Sequence, residues 1–111
     1  MTGIGAAFGA VENLTRTLAL ELGPAGVRVV CLRTAANPDS RTIQDTRDLI
    51  AKLTGVAQDQ EQFAGSLAQG TMLKVNPCTE DTARAAVLLA SDSARMMTGA
   101  VLNSSAGAVW D

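Results

Sequence analysis

The residues that invite a chemical reading stand at the start of the chain. Gly3 and Gly5, in TGIGAAFGAV, begin the G-x-G-x-x-G pattern of loops that set a helix N-terminus under a dinucleotide pyrophosphate. The pattern fails at Phe8, where its third glycine belongs, and no strand precedes it to aim a helix at phosphate. As helix residues, Gly5 and Gly9 with Ala6 and Ala10 instead make a shallow face that another helix backbone can approach closely. Each glycine lowers helix propensity by about 0.8–1 kcal/mol relative to alanine, and close packing is the offset the pattern suggests. With Glu12 and Arg16 on the same stripe, Gly5, Gly9, Glu12 and Arg16 form a candidate association face; intramolecular packing is the equal alternative.

Other reactive side chains lack the neighbours that chemistry requires. Thr15, Ser91, Ser93, Ser104 and Ser105 supply hydroxyls, but the chain has no histidine to activate one as a nucleophile. Asp45, Asp48, Asp59 and Glu61 do not follow the ligand spacing of a calcium loop and read as the wet faces of helices. Cys31 sits in an apolar run as a small core residue, whereas Cys78, just before an expected helix start, stands where a thiolate is favoured. Alkylation of Cys78 faster than that of a free thiol is the expectation of that minor redox reading. Two cysteines without histidines fit neither a zinc site nor a disulfide scaffold, so no metal is expected and the thiols read as reduced and cytoplasmic.

Composition narrows the partners. The chain has 111 residues, enough for a single domain, with 9 basic against 11 acidic side chains and no basic cluster interleaved with aromatics. Nucleic acid is therefore not expected as a partner. Phe8, Phe63 and Trp110 are the only aromatics, so the core must be aliphatic and alanine-rich. The charge-free start is far shorter than the ~20 residues that span a bilayer and lacks the basic region of a signal peptide, so no membrane association is expected.

Several elements must carry these residues. Ile4, Phe8, Val11, Leu14, Leu18 and Leu22 recur at three- and four-residue steps, predicting an amphipathic helix over Gly3 to Leu22 with that stripe buried and Gly23-Pro24 ending it. Val27 to Leu32 reads as a strand covered on both faces, followed by the loop TAANPDSR. Two polar helices, Thr42 to Leu53 and Gln58 to Gln69, give residues 40–70 the character of a lid. Pro77-Cys78-Thr79-Glu80-Asp81 starts another helix, with Thr79 as the cap and Ala83, Ala86, Val87 and Ala90 buried along a run to Ser91. A strand over Ala100 to Asn103 closes the order, and so long a helical crossover makes the two strands parallel.

AVENLTRTLALELGPAGVRVVCLR and TEDTARAAVLLASDSARMMTGAVLNSSAG together resemble the C-terminal half of the short-chain dehydrogenase/reductase family. The first block resembles the helix carrying the end of that family's Tyr-x-x-x-Lys motif and the strand after it, and the second its last helix and last strand. The resemblance covers nearly the whole of residues 1–111 and implies one domain with a partial Rossmann-like α/β fold. It also implies that residues 40–70 are the variable substrate-binding helices, and that the first helix takes part in subunit association. Family members use NAD or NADP.

The same resemblance places Ile4 where the tyrosine stands and Phe8 where the lysine stands. A phenol passes a proton to or from the substrate carbonyl, and an ammonium lowers its pKa and holds the ribose; Ile4 and Phe8 can do neither. The Pro-Gly that follows the penultimate strand in the family aligns with Thr34-Ala35, and the family's serine and coenzyme loop precede the matching segment. No catalytic or cofactor-binding residue is therefore expected in this chain by itself. Two strands make a marginal sheet with an open edge. The expectation is a partial fold completed by oligomerisation, at least a dimer, or by a partner chain that carries the coenzyme-binding half.

Overall fold

A computed structural model of the chain describes residues 2–57 and 59–108. In chain order it contains α1 (Thr2–Leu22), a 3₁₀ turn (Gly23–Ala25), β1 (Cys31–Thr34), α2 (Arg41–Thr54), α3 (Gln60–Gln69), α4 (Thr79–Ala90), a second 3₁₀ turn (Asp92–Ala94) and β2 (Val101–Ser104). Trp110, and Gln58 at the expected start of the third helix, lie outside the described residues. β1 and β2 pair in one sheet. The Gly99 N–H donates to the Val29 carbonyl at 2.7 Å and the Cys31 N–H to the Ala100 carbonyl at 2.9 Å, so the bonds advance along both segments in the same direction. The pair is parallel, and α2, α3 and α4 fill the crossover that parallel strands require. The chain divides into two compact units, Met1–Arg33 with Ala85–Leu102 and Thr34–Arg84 with Asn103–Asp111.

In the first unit, α1 buries a different side from the one its large apolar residues mark. Thr15 and Ala19 are buried and Glu12 and Leu18 half-buried, while Ile4, Phe8, Val11 and Leu14 of the expected core stripe are exposed. Ala19 faces the turn at Gly99, which is in a left-handed conformation (φ 65°): a Cβ there would stand in van der Waals contact, 3.6 Å from the Ala19 methyl group. The buried Thr15 hydroxyl is satisfied within the helix by the Val11 carbonyl at 2.9 Å. The α-helix ends at Leu22, as Gly23-Pro24 leads one to expect. Gly23 and Pro24 continue as a 3₁₀ turn, and the left-handed glycine that stops the chain is Gly26 (φ 77°), whose N–H returns to the Gly23 carbonyl at 2.9 Å.

The ladder of β1 begins at Cys31 rather than Val27, because residues 27–30 meet the turn at Thr98-Gly99 instead of a strand: the Val29 N–H donates to the Thr98 hydroxyl at 3.1 Å. Covering on both faces does not hold either, since Cys31, Leu32 and Arg33 are half-buried and Thr34 is exposed. β2 likewise starts one residue later than expected. In α4 the expected buried set Ala83, Ala86, Val87 and Ala90 is exposed, and Leu89 is buried in its place. The helix is apolar around much of its girth, so spacing alone leaves the buried side undetermined, and the Leu89 side is the one that is covered. Ala94, in the turn after α4, is buried as well.

In the second unit each helix is stopped by a local device. The Ser40 side chain accepts from the Ile43 N–H at the start of α2, and Gly55 (φ 71°) closes its end by donating to the Ala51 carbonyl. Asp59 caps α3 by accepting from the Gln62 N–H. Neither helix has a buried residue, in keeping with their polar sequences. Beyond α3 the chain is tied down by the buried Thr71 hydroxyl, which lies 2.9 Å from the Ala68 carbonyl and 3.0 Å from that of Val75. The Leu73 N–H bonds the Ala106 carbonyl at 3.1 Å, fastening this loop to the tail after β2.

Candidate functional site

The N-terminal half of α1 carries the residues singled out for chemistry, and they stand uncovered. Ile4 is 58% and Phe8 65% exposed. A Cβ built on Gly5 or Gly9 meets nothing within 4 Å, so among the described residues no backbone takes up the close approach these glycines permit. Arg16 is exposed on the same stripe. Glu12 behaves differently: its carboxylate pairs with the Arg33 guanidinium of β1, both side chains being only about one-fifth exposed (20% and 21%). Of the four proposed association residues, Gly5, Gly9 and Arg16 thus lie open, and Glu12 ties the helix to the carboxyl end of β1. Open α/β sheets bind their ligands beyond the carboxyl ends of the strands.

Past that end, in the second unit, residues 35–40 lead to the start of α4. Asn37 Nδ2 donates to the Thr82 hydroxyl at 3.0 Å, and its buried Oδ1 has no hydrogen-bond partner among the described residues. Asp39 accepts from the Thr79 N–H at 3.0 Å with each carboxylate oxygen. The expected cap, Thr79, is therefore itself capped, by a residue far back in the sequence. Asp81 completes the arrangement by accepting from both the N–H (2.9 Å) and the thiol (3.1 Å) of Cys78. The backbone N–H of Thr79 holds the Asp39 carboxyl below its usual range, and the backbone N–H of Cys78, aided by its thiol and by Arg84, does the same for Asp81. Cys31, read from sequence as a core residue, is half-buried.

A recess of about 50 Å³ opens beside this segment, with Ala35, Ala36 and Pro77 on one part of its wall and Leu67, Thr71, Asn76 and Ala108 on the rest. It is far smaller than the roughly 300 Å³ at which small-molecule sites begin, so it does not hold a whole substrate. Among the described residues, no three His, Cys, Asp or Glu side chains gather as metal ligands. No described helix is long and apolar enough to cross a membrane.

Comparison with known proteins fixes the family. The family model described as enoyl-(acyl carrier protein) reductase matches residues 2–108. The chain belongs to the short-chain dehydrogenase/reductase family. It is 39% identical to secoisolariciresinol dehydrogenase of Forsythia intermedia over 95 residues, which are 81% of this chain and 30% of that one. Sorbitol-6-phosphate 2-dehydrogenase of Erwinia amylovora has a similar structure, with a TM-score of 0.81 and 26% identity over 99% of this chain and 42% of that one. A short-chain dehydrogenase family protein of Francisella tularensis shares the fold, with a TM-score of 0.78 at 21% identity over 90% of this chain and 40% of that one. The chain thus spans less than half the length of these members of the short-chain dehydrogenase/reductase family.

Two positioning residues of this short-chain dehydrogenase/reductase segment escape a sequence reading. Arg28 donates from Nη2 to the Leu89 carbonyl at 2.8 Å and from Nη1 to the Met97 carbonyl at 3.2 Å, a cation at the C-terminal end of α4. Its signal was present as the single charge in the apolar run Val27 to Leu32. Asp39 has no such signal, because a lone carboxylate in a Pro-Asp-Ser loop reads as a local turn residue.

Proposed function

We propose that this chain is the C-terminal part of a short-chain dehydrogenase/reductase that does not transfer hydride by itself and acts through association, with copies of itself or with a coenzyme-binding half. The observation that carries the reading is the exposed apolar side of α1, where Ile4, Phe8, Val11 and Leu14 lie open beside the small face of Gly5 and Gly9. Apolar patches of that kind on a folded chain mark surfaces that pack against something else. Inactivity is supported by the residues at the motif positions: Ile4 and Phe8 have no titratable group, and the chain has no tyrosine to take the acid's place. Gly5, Gly9 and Arg16 form the open part of the association face. Glu12 sets its orientation through Arg33.

Two measurements on the 111-residue chain test this. Sedimentation at micromolar concentration is expected to show a dimer or larger species, and a cooperatively folded monomer would overturn the associating role. Titration with NAD(H) and NADP(H) is expected to show no saturable binding in the micromolar range. Saturable binding there would refute the inactive reading.

A second reading has an observation of its own. Two residues of the recess, Ala35 and Ala36, directly follow β1 in the chain, and in open α/β sheets the segments after the strands carry ligand contacts. In this reading the chain is one part of a larger or split NAD(P)-dependent oxidoreductase, for which it supplies the substrate lid, through α2 and α3, and a subunit interface. A co-encoded chain with a strand and glycine-rich loop, whose addition brings coenzyme-dependent reduction, favours it over the first.

A further inference from the structure

We infer that the recess bounded by Ala35, Ala36, Pro77 and Ala108 is a subsite for one small neutral apolar group, of a few heavy atoms, on the substrate of the assembled oxidoreductase. The inference rests on the reading of the chain as part of such an oxidoreductase, and it adds the chemistry of the group accepted at this wall. Size sets the first limit. At about 50 Å³, against the roughly 10–15 Å³ that one water needs on the same measure, the recess takes a group of a few heavy atoms and no more.

The lining sets the second limit. No ionisable side chain contributes to it. Its two polar side chains offer no cation: the Thr71 hydroxyl lies 3.0 Å from the Val75 carbonyl and accepts from the Val75 N–H at 3.2 Å, and Asn76 Nδ2 donates to the Ala64 carbonyl at 2.7 Å, which leaves Asn76 an acceptor oxygen that an anion would meet unfavourably. A carboxylate or phosphate placed here would exchange its hydration for alanine methyls and a proline ring, without a cation to compensate. A methyl group would lose no hydrogen bond and would be removed from water. Each methylene so buried is worth about fourfold in affinity.

The test is methyl NMR of the 111-residue chain carrying labelled alanine, with xenon under pressure as the apolar probe and acetate as the anionic one. The expected result is a saturable xenon shift at the Ala35, Ala36 and Ala108 methyls, no change at Ala6 and Ala10 of α1, and no saturable response to acetate. Ala36→Leu fills the recess and is expected to abolish the xenon shift while the remaining methyl signals keep their dispersion. An absent xenon shift, an equal response to acetate, or a shift that survives Ala36→Leu overturns the inference, as does a spectrum without dispersed alanine methyls, since the recess is then not formed. Addition of a co-encoded coenzyme-binding chain, with coenzyme-dependent reduction as the readout, reports on the underlying reading separately, so the two can fail independently.

Discussion

Arg28 and Leu89 are joined by a 2.8 Å hydrogen bond from guanidinium to carbonyl, which binds the segment before β1 to the end of α4 across 61 positions of sequence. The same guanidinium reaches the Met97 carbonyl, so one cation satisfies two backbone acceptors, one in the last turn of α4 and one beyond it. Arg28→Ala is expected to lower the unfolding free energy by about 2 kcal/mol, the range for hydrogen bonds to a charged group. Arg28→Lys should restore less than half of this, because an ammonium lacks the planar fork that reaches both carbonyls. Urea titration followed by circular dichroism measures both.

The Glu12–Arg33 pair should show itself in a double-mutant cycle. Glu12→Gln and Arg33→Gln are each expected to destabilise, with a coupling of roughly 1 kcal/mol between them, above that of most fully exposed pairs because both side chains are largely covered. A coupling indistinguishable from zero in chemical denaturation would show that the pair does not anchor α1.

Asp39 and Asp81 give the start of α4 an acid dependence of definite sign. Both folded-state pKa values lie below the ordinary 3.8, so the folded state favours the carboxylates more than the unfolded chain does. Their contribution is present above about pH 4 and is lost as the pH falls through the folded values. Thermal unfolding between pH 7 and pH 2 is expected to show melting temperature falling below pH 4. The Asp39→Asn, Asp81→Asn double variant should have a lower melting temperature at pH 7 and a flatter acid limb.

Alanine should act in opposite directions at two glycines. Gly107 has φ 80°, and a Cβ there would lie 2.6 Å from the Met72 Cβ, so Gly107→Ala is expected to destabilise by about 1–3 kcal/mol. Gly9 sits in a helix with open space around it, and Gly9→Ala should raise helix stability by up to about 1 kcal/mol. If α1 associates through its small face, Gly9→Ala must also weaken the oligomer, and sedimentation read beside thermal unfolding separates the two effects.

The sequence exposes those parts of the fold that depend on neighbouring residues. The four long helices follow from periodicity and from breaks such as Gly23-Pro24 and Thr54-Gly55, signals that lie within one helical turn of the ends they mark. The buried side of α1 does not follow, because Thr15 and Ala19 are less hydrophobic than the exposed Ile4, Phe8, Val11 and Leu14, and Ala19 faces Gly99 from a distant part of the sequence. α4 shows the same limit, its four expected core residues exposed and Leu89 buried. β1 begins four residues after the expected Val27, since a β-branched run marks extended backbone, whereas a ladder also requires a partner beside it. At the candidate site, Ile4 and Phe8 are legible only as positions that the family resemblance proposes for the motif, while their exposure comes from the fold. The Asp39–Thr79 cap was not, because it joins segments that only the folded chain brings together.

The uncovered flank of α1 also bears on how long the chain would survive in a cell. Open apolar residues on folding or unassembled chains promote aggregation and bring chaperones and proteases into play, and modest shifts in the folded population change abundance severalfold. With Ile4, Phe8, Val11 and Leu14 facing water, a copy that meets no counterpart is the one removed first. Its steady-state level would then follow the supply of whatever shields that flank, so co-expression that raises its half-life would point to the physiological companion.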